Sequence, residues 1–517
     1  MNPRFSAPPL HLRDELLKRT TSRCPTCHAP CPAEVWRTGG IPAKVFLKRT
    51  CPEHGEASVC IASDARFYWL AKGKAENACC AGSQVGRVTP CAPSSDISST
   101  GAHGVTRPTT SVCCSADGSN TGTLGRNADP GDALGVMEKL ATCLCLIEIV
   151  NSCNLSCPTC YADSPLGNGG KVDAVPLADL QRRIQGVLDR KGGIEILQLS
   201  GGEPTLHPHF FELLRWLHAN PGIDYVLLNT NGVRIAQDEA FAAELGATFR
   251  YGKCQLYLQF DGAQEAGQHF LRGADLRATR ERCLERCREM KLPVTLAMTV
   301  TPENLPFLWD AIEFGLRWPT VRGIAFQPMF TSGRVNGEIQ VSSFKMQGGQ
   351  PDASGDGGLE TSNLKLETRL NTADIILAAV GQSAGKLRFE DFTPLPCGDP
   401  NCATIGYLLK VDGQIRSVSD FIDFTRVQDF LGTKVRYKLE DLMKCGCESE
   451  PLGDLLKQFE LDESHTFRLF IKPFMDAQTW DEDRIDRCCT HVIRPDGKLD
   501  SFCRYYSGFD SRITRPT

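Results

Sequence analysis

The 517-residue sequence has no apolar run approaching the roughly 18 residues that a membrane span requires, so no span is expected. Its opening, MNPRFSAPPLHLRDELLKRT, lacks the continuous apolar stretch of a secretory signal, which makes the cytoplasm the expected location. Neither sign of charge dominates. With 57 Lys and Arg against 62 Asp and Glu, the net charge of −5 gives no electrostatic reason to expect nucleic acid or an anionic membrane as partner. Hydrophobic content of 41% and charged content of 23% are ordinary for a soluble globular protein, and the length allows two or three domains.

Cysteine, by contrast, is abundant, at 25 residues. Disulfides are rare in a reducing compartment, so dense cysteines there indicate metal ligation or redox chemistry. Scattered thiols such as Cys254, Cys283 and Cys287 read simply as small buried hydrophobes. The others cluster.

Residues 1–72 hold a compact unit in which CPTC (Cys24, Cys27) precedes the strand-like AKVFLKRT and then CPEHG (Cys51, His54). Two knuckle turns flanking a strand are the pattern of a zinc ribbon or a rubredoxin-like iron site. Cys24, Cys27 and Cys51 are the expected ligands, with His54, Cys31 or Cys60 as the fourth. Residues 73–140 are rich in Gly, Ser, Thr and Pro and read as a linker, yet carry Cys79–Cys80, Cys91 and Cys113–Cys114. Such pairs suit a thiophilic ion or an incidental role in a variable segment.

From 141 to 332 short apolar runs alternate with amphipathic helical patterns. CLIEIV, IEILQLS, YVLLNTNG, CQLYLQFDG, VTLAMTVT and GIAFQP read as strands. PLADLQRRIQGVLDRKGG, HFFELLRWLHANPG and segments near 237–246, 277–290 and 305–317 read as helices. Strand–helix alternation implies parallel strands with right-handed crossovers, here an α/β fold made as an open six-unit version of the eight-stranded barrel, a partial (β/α)6 TIM-like barrel. Active sites of such barrels lie at the C-terminal strand ends. Residues 333–368 are a second low-complexity segment. Residues 369–517 carry another cysteine set: Cys397, Cys402, Cys445, Cys447, Cys488, Cys489 and Cys503.

The first barrel strand runs into NSCNLSCPTCYA, with Cys153, Cys157 and Cys160 and no fourth cysteine on the loop. Three thiolates can hold three irons of a 4Fe–4S cube and leave the fourth iron open to a small chelating molecule. The next strand ends in SGGEPTLHP, the third in NTNG and the fourth in QFDG. On these motifs the sequence resembles the radical S-adenosylmethionine (SAM) enzymes. The resemblance implies a 4Fe–4S cluster on Cys153, Cys157 and Cys160, SAM on the open iron, and reductive cleavage of SAM to a carbon radical. It implies that Tyr161 packs against the cluster or ligand and that Gly201, Gly202, Glu203 and Pro204 receive the SAM amino group, with the glycines letting backbone approach the ligand and the carboxylate facing the ammonium. Asn231, Gln259 and Asp261 are further expected cofactor-facing residues.

The flanks are similar to one radical SAM subgroup, which includes the archaeal tetraether lipid synthase and a methanogen pterin methyltransferase. That likeness implies a rubredoxin-like iron or zinc at the N-terminus. It also implies an auxiliary 4Fe–4S cluster on Cys397, Cys402, Cys488 and Cys503, with Cys489 as the alternative to its neighbour. The subgroup's compact cysteine motif before the barrel is replaced here by the 73–140 linker. Any further cluster there would draw on Cys79, Cys80, Cys91, Cys143 or Cys145. The expected reaction is alkylation, methylation or C–C coupling on a lipid chain or small heterocycle, with flavodoxin or ferredoxin as electron donor. Two alternatives stand beside it: transfer of the adenosyl or aminocarboxypropyl part of SAM to a soft metalloid such as arsenite, and a non-catalytic iron–sulfur protein.

Overall fold

The computed structural model describes residues 13–70, 140, 142–167, 171–335, 369–395, 398–411, 414–420 and 465–509. The cysteines of the 73–140 linker, Cys397, Cys445 and Cys447 lie outside the described residues. Four strands, β1 (Glu15–Arg23), β2 (Pro30–Arg37), β3 (Val45–Cys51) and β4 (Gly55–Ala62), pair antiparallel in sequence order as a small sheet. Its core is Val35, Val45, Leu47 and Val59, one face of an alternating pattern in which the intervening residues point outward.

The second sheet contains twelve strands. In chain order they are β5 (Leu144–Val150), β7 (Ile194–Gly201), β8 (Ile223–Thr230), β9 (Cys254–Gln259), β10 (Val294–Val300), β11 (Val321–Pro328), β13 (Thr393–Pro394), β14 (Thr404–Val411), β15 (Gln414–Ser417), β16 (Thr466–Ile471), β17 (Thr490–Ile493) and β18 (Leu499–Ser501). Between them, β6 (Thr159–Cys160) and β12 (Arg334–Val335) form a separate antiparallel pair. Strands β5, β7, β8, β9, β10 and β11 lie side by side and parallel, as the strand–helix alternation requires. Helices Leu177–Lys191, Phe210–Ala219, Glu239–Thr248, Arg277–Met290 and Leu308–Leu316 fall where the apolar periodicity places them. Gly192, with φ 78°, ends the first of these in the left-handed conformation typical of a helix stop.

The cysteine-rich region that follows the barrel is woven into it. β16 pairs parallel with β11 at one edge, and β17 pairs parallel with β5 at the other. Eight parallel strands therefore line the barrel rather than six. Residues 472–489 run from one edge strand to the other, and Lys472 Nζ donates to Thr490 Oγ1 across the gap at 3.1 Å. The N-terminal sheet docks on this same segment. Lys18 pairs with Asp481 at 2.6 Å and Asp483 at 3.2 Å, and buried Arg49 donates to the Gln478 carbonyl at 2.5 Å.

Outward residues of the barrel strands are apolar and pack under the helices, for example Leu256 and Leu258 on β9 and Leu296 and Met298 on β10. Inward residues are often polar: Gln255, Tyr257 and Gln259 on β9, and Gln327 on β11, face the barrel cavity. No helix among the described residues is long and apolar enough to cross a membrane.

His218, in the helix Phe210–Ala219, is buried with neither ring nitrogen hydrogen-bonded, and burial beside Arg250 and Lys253 pulls its pKa down to about 4. The unfolded imidazole takes up its proton near pH 6.5, so this group favours unfolding as pH falls from there toward 4. His218→Phe is expected to flatten part of the fall in thermal midpoint between pH 6.5 and 4. An unchanged profile would show that His218 does not contribute to it.

Candidate active site and metal centres

The loop after β5 is fixed from below by the end of β7. The Gly202 amide donates to the Val150 carbonyl at 2.8 Å and the Glu203 amide to the Ser152 carbonyl at 3.0 Å. The approach is too close for side chains. A Cβ on Gly201 (φ 123°) would stand 2.0 Å from the Val150 oxygen, and one on Gly202 would stand 2.1 Å from the Ser152 oxygen. These glycines are needed first for the cysteine-loop backbone, and only beyond that for a ligand. The far side of the loop is tied by Cys153 N to Pro165 O at 2.9 Å and Gly167 N to Cys153 O at 2.8 Å. Arg334 on β12 donates to the carbonyls of Cys157 at 3.0 Å and Ser164 at 2.9 Å.

Glu203 is buried at the cavity wall, and its carboxylate is hydrogen-bonded to the strand ends around it. Oε1 accepts from Thr205 N at 3.1 Å, Thr205 Oγ1 at 2.7 Å and Thr230 Oγ1 at 2.7 Å, and Oε2 accepts from Asn231 N at 2.8 Å. Burial raises its pKa and these bonds oppose the rise. It braces the end of β8 against the end of β7, and Oε2, with a single donor among the described residues, keeps acceptor capacity for a ligand ammonium. Asn231, so placed, points its amide at Asn154 Oδ1, 2.6 Å away, and at Cys153 Sγ, 3.8 Å away.

Asp261, with φ 62°, is fully buried, and it accepts from Arg272 Nε at 2.6 Å, Arg272 Nη2 at 2.9 Å and Thr299 N at 3.1 Å. It lies behind the wall. Its partner Arg272 faces the cavity and hydrogen-bonds Cys157. Burial opposes the Arg272 charge, but Asp261 and Cys157 outweigh it and hold the guanidinium protonated. Burial raises the Cys157 thiol, with Arg272 pulling the other way, and burial takes Cys153 up to about 12. Bare thiols in this apolar pocket resist ionisation, so a cationic metal centre is what would make thiolates of them.

Cys153, Cys157, Cys160, Tyr161, Gly201, Gly202, Glu203, Asn231 and Gln259 all line one cavity of about 390 Å³, within the range of small-molecule sites. Pro204, like Asp261, stands outside it, as the buried first residue of a 3-10 turn. Tyr161 packs edge-on to Tyr506, ring centroids 4.8 Å apart, in an aromatic wall with Phe330, Phe474 and Phe502. Arg272 and Arg334 are contributors that carry no motif in the sequence, while Thr230 and Asn154 lie inside NTNG and the cysteine loop without a role that the motif itself discloses. Arg272 lies eleven residues beyond Asp261, and only the fold brings the two together.

At the N-terminus, ligand atoms of Cys24, Cys27, Cys51 and His54 all lie within 4.8 Å of one another. A hydrogen bond from His54, followed by backbone donation from Glu53, lowers the Cys51 thiol to about 6. This donor set suits zinc. Cys31 joins the same buried thiol cluster but not that set of four, and Cys60 lies on β4 with its pKa raised to about 11 by burial and Asp374. His54 is thus the fourth member. In the C-terminal region, Cys488 is raised by burial and by Cys489, Cys402 and Cys503, so these thiols share one neighbourhood. Arg484 donates to Cys402 Sγ at 3.6 Å, and the Met475 amide donates to Cys503 Sγ at 3.4 Å. Cys402 and Cys489 also line the main cavity.

Comparison with known proteins agrees with this geometry. Residues 147–315 match the radical SAM superfamily, and residues 16–63 match the HMPTM N-terminal zinc ribbon domain. The 7,8-dihydro-6-hydroxymethylpterin dimethyltransferase of Methanocaldococcus jannaschii is 25% identical, over 94% of this chain and 93% of the relative. The GTP 3′,8-cyclase of Synechococcus elongatus is 28% identical, over 40% of this chain and 63% of its own length. Among solved structures, Streptococcus suis SuiB bound to S-adenosylmethionine overlaps 38% of this chain and 43% of its own, at 17% identity and a TM-score of 0.31.

Two outcomes are expected. Gly202→Ala should push the cysteine loop off β7 and cost most of the iron bound by that loop, read as iron per chain and as visible absorbance after anaerobic reconstitution. Iron content equal to wild type would show that the 2.1 Å approach relaxes cheaply. Cys51→Ser should remove the ribbon's metal, read as zinc content, while leaving iron on Cys153, Cys157 and Cys160 in place.

Proposed function

Taking the chain as the radical SAM enzyme that these matches show it to be, we propose that it methylates a small hydrogen-bonding heterocycle. The observation that carries this reading is the polar inner face of the barrel. Gln198, Asn229, Gln255, Gln259 and Gln327 bring side-chain amides to the cavity, with Tyr225, Tyr257 and Thr295 beside them. Tyr225 donates to Gln255 at 3.1 Å and Gln255 donates to Thr295, Asn229 donates to Ser200 at 3.2 Å, Arg280 donates to Gln259 at 3.3 Å, and Gln327 donates to Tyr257 at 2.8 Å, so these amides are held in place with lone pairs and second N–H groups left for a ligand. A lipid chain would strip water from these groups without replacing its hydrogen bonds, at about 1–3 kcal/mol for each one left unpaired. A heterocycle with ring nitrogens and carbonyls satisfies them. The Methanocaldococcus relative's name, a pterin dimethyltransferase, supports the same choice.

Cys153, Cys157 and Cys160 fit a 4Fe–4S cluster, since three thiols stand on one loop at one cavity wall. When bound, the cluster supplies the electron that cleaves SAM and so generates a radical. The protein's own part is positional. Gly201 and Gly202 fix the height of the loop, Glu203 sets Asn231 beside Cys153, and Arg272 balances charge at Cys157. Tyr161 and its aromatic neighbours keep water from the space above. We further propose that Cys402, Cys488 and Cys503, with Cys397 or Cys489, hold an auxiliary cluster, and that flavodoxin or ferredoxin is the donor.

The test is anaerobic reconstitution with iron, sulfide, dithionite and SAM, followed by mass spectrometry of nucleosides and of candidate reduced pterins and related heterocycles. The expected products are 5′-deoxyadenosine and a substrate heavier by one or two methyl groups, both absent with Cys157→Ala. Methylthioadenosine in place of 5′-deoxyadenosine would overturn the reading and favour aminocarboxypropyl transfer.

A further inference from the structure

The cavity wall carries a charge pattern that the whole chain does not. Among the described residues its basic members are Arg272, Arg322, Arg334, Arg468 and Lys472, and its one carboxylate is Glu203. Glu203 accepts hydrogen bonds from Thr205, Thr230 and Asn231. Four of the cations are engaged as well. Arg272 pairs with Asp261, Arg334 holds the carbonyls of Cys157 and Ser164, Lys472 donates to Thr490, and Arg322 donates to the Pro319 carbonyl at 2.9 Å.

Arg468 differs. It sits on β16 opposite Gly323 of β11 and Tyr407 of β14, half-buried and facing the cavity, and among the described residues its guanidinium has no hydrogen-bond or ion-pair partner. The wall beside it is made of small residues, with Ala297 on β10 and Gly323 and Ala325 on β11. A Cβ on Gly323 would meet the Arg468 carbonyl oxygen at 2.3 Å, so no side chain fits at this position beside Arg468. Burial pushes the Tyr257 hydroxyl up, and Arg468 and Tyr161, the latter next to Cys160, both lie near enough to act on it. Tyr257, Arg468 and Tyr161 line the same cavity.

A half-buried guanidinium facing an enclosed polar cavity is a fork for an anionic oxygen group, which it can grip in two places. We propose that the substrate carries a phosphate or carboxylate held by Arg468, so that the ring lies across Tyr257 and Gln327 toward the cysteine loop. This rests on the reading that a polar small molecule fills the barrel. It adds that the molecule is an anion, and it makes Arg468 a specificity-determining residue.

The experiment uses the reconstituted holoenzyme and ligand binding without turnover. Benzoate, phenyl phosphate and the neutral benzamide are titrated anaerobically by calorimetry, with iron content and thermal midpoint as folding controls. Wild type is expected to bind at least one of the two anions about tenfold more tightly than benzamide, about 1.4 kcal/mol. The stronger of the two distinguishes phosphate from carboxylate. Arg468→Gln should erase the difference and Arg468→Lys should keep part of it. On wild-type protein alone, phenyl phosphate or benzoate should slow phenylglyoxal modification of Arg468, mapped by peptide mass spectrometry, and benzamide should not. No anion preference, or one that survives in Arg468→Gln, overturns the inference. A failed methylation assay with this preference intact overturns only the reaction, whereas methyl transfer without the preference overturns only the anion.

Discussion

Two backbone hydrogen bonds, from Gly202 to Val150 and from Glu203 to Ser152, set the geometry on which the active site depends. They join two adjacent parallel strands at the point where both are leaving the sheet, so the cysteine loop takes its height from β7. The cost falls on side chains, since neither glycine can carry a Cβ there. Glu203 extends the constraint sideways. Through Thr230 and Asn231 it fixes the end of β8, so that three consecutive strand ends move as one body beneath the three thiols.

Rigid placement matters in radical chemistry because a reactive carbon abstracts from whatever lies nearest, and specificity becomes a question of distance. The barrel meets this with a divided inner surface. Near the cysteine loop the wall is aromatic, through Tyr161, Phe330, Phe502 and Tyr506, while further along β9, β11 and β16 it is amide-rich and basic. One end tolerates a radical and the other selects a molecule.

The six parallel strands, their helices and the three-cysteine loop were legible because each is written in local sequence: apolar runs, 3.6-residue periodicity, a fixed cysteine spacing. Cys24, Cys27 and Cys51 were legible as a metal knuckle for the same reason, while the choice of His54 over Cys31 or Cys60 came from the structure. What the sequence did not disclose depends on contacts between distant segments. Asp261 resembles a ligand-facing carboxylate until Arg272 is seen to engage it, and the bracing of β8 by Glu203 shows only once Thr230 is seen against it. The alternation in CQLYLQ is a visible clue to a polar barrel interior, but it acquires meaning only once β9 is known to curve around a cavity. The join of β16 and β17 to opposite barrel edges has no local signature at all.

That join bears on how the molecule is made. A wall of the cavity belongs to β16, and the segment closing the gap between edges ends at β17, near the end of the chain. During synthesis the three-cysteine loop emerges from the ribosome hundreds of residues before the strands that enclose it. Until then its thiols face solvent on an incomplete sheet, open to oxidation or to the wrong metal. The strands that complete the wall are thus made after the loop they enclose, and a cluster placed on the loop before β16 and β17 dock would be built at an open sheet.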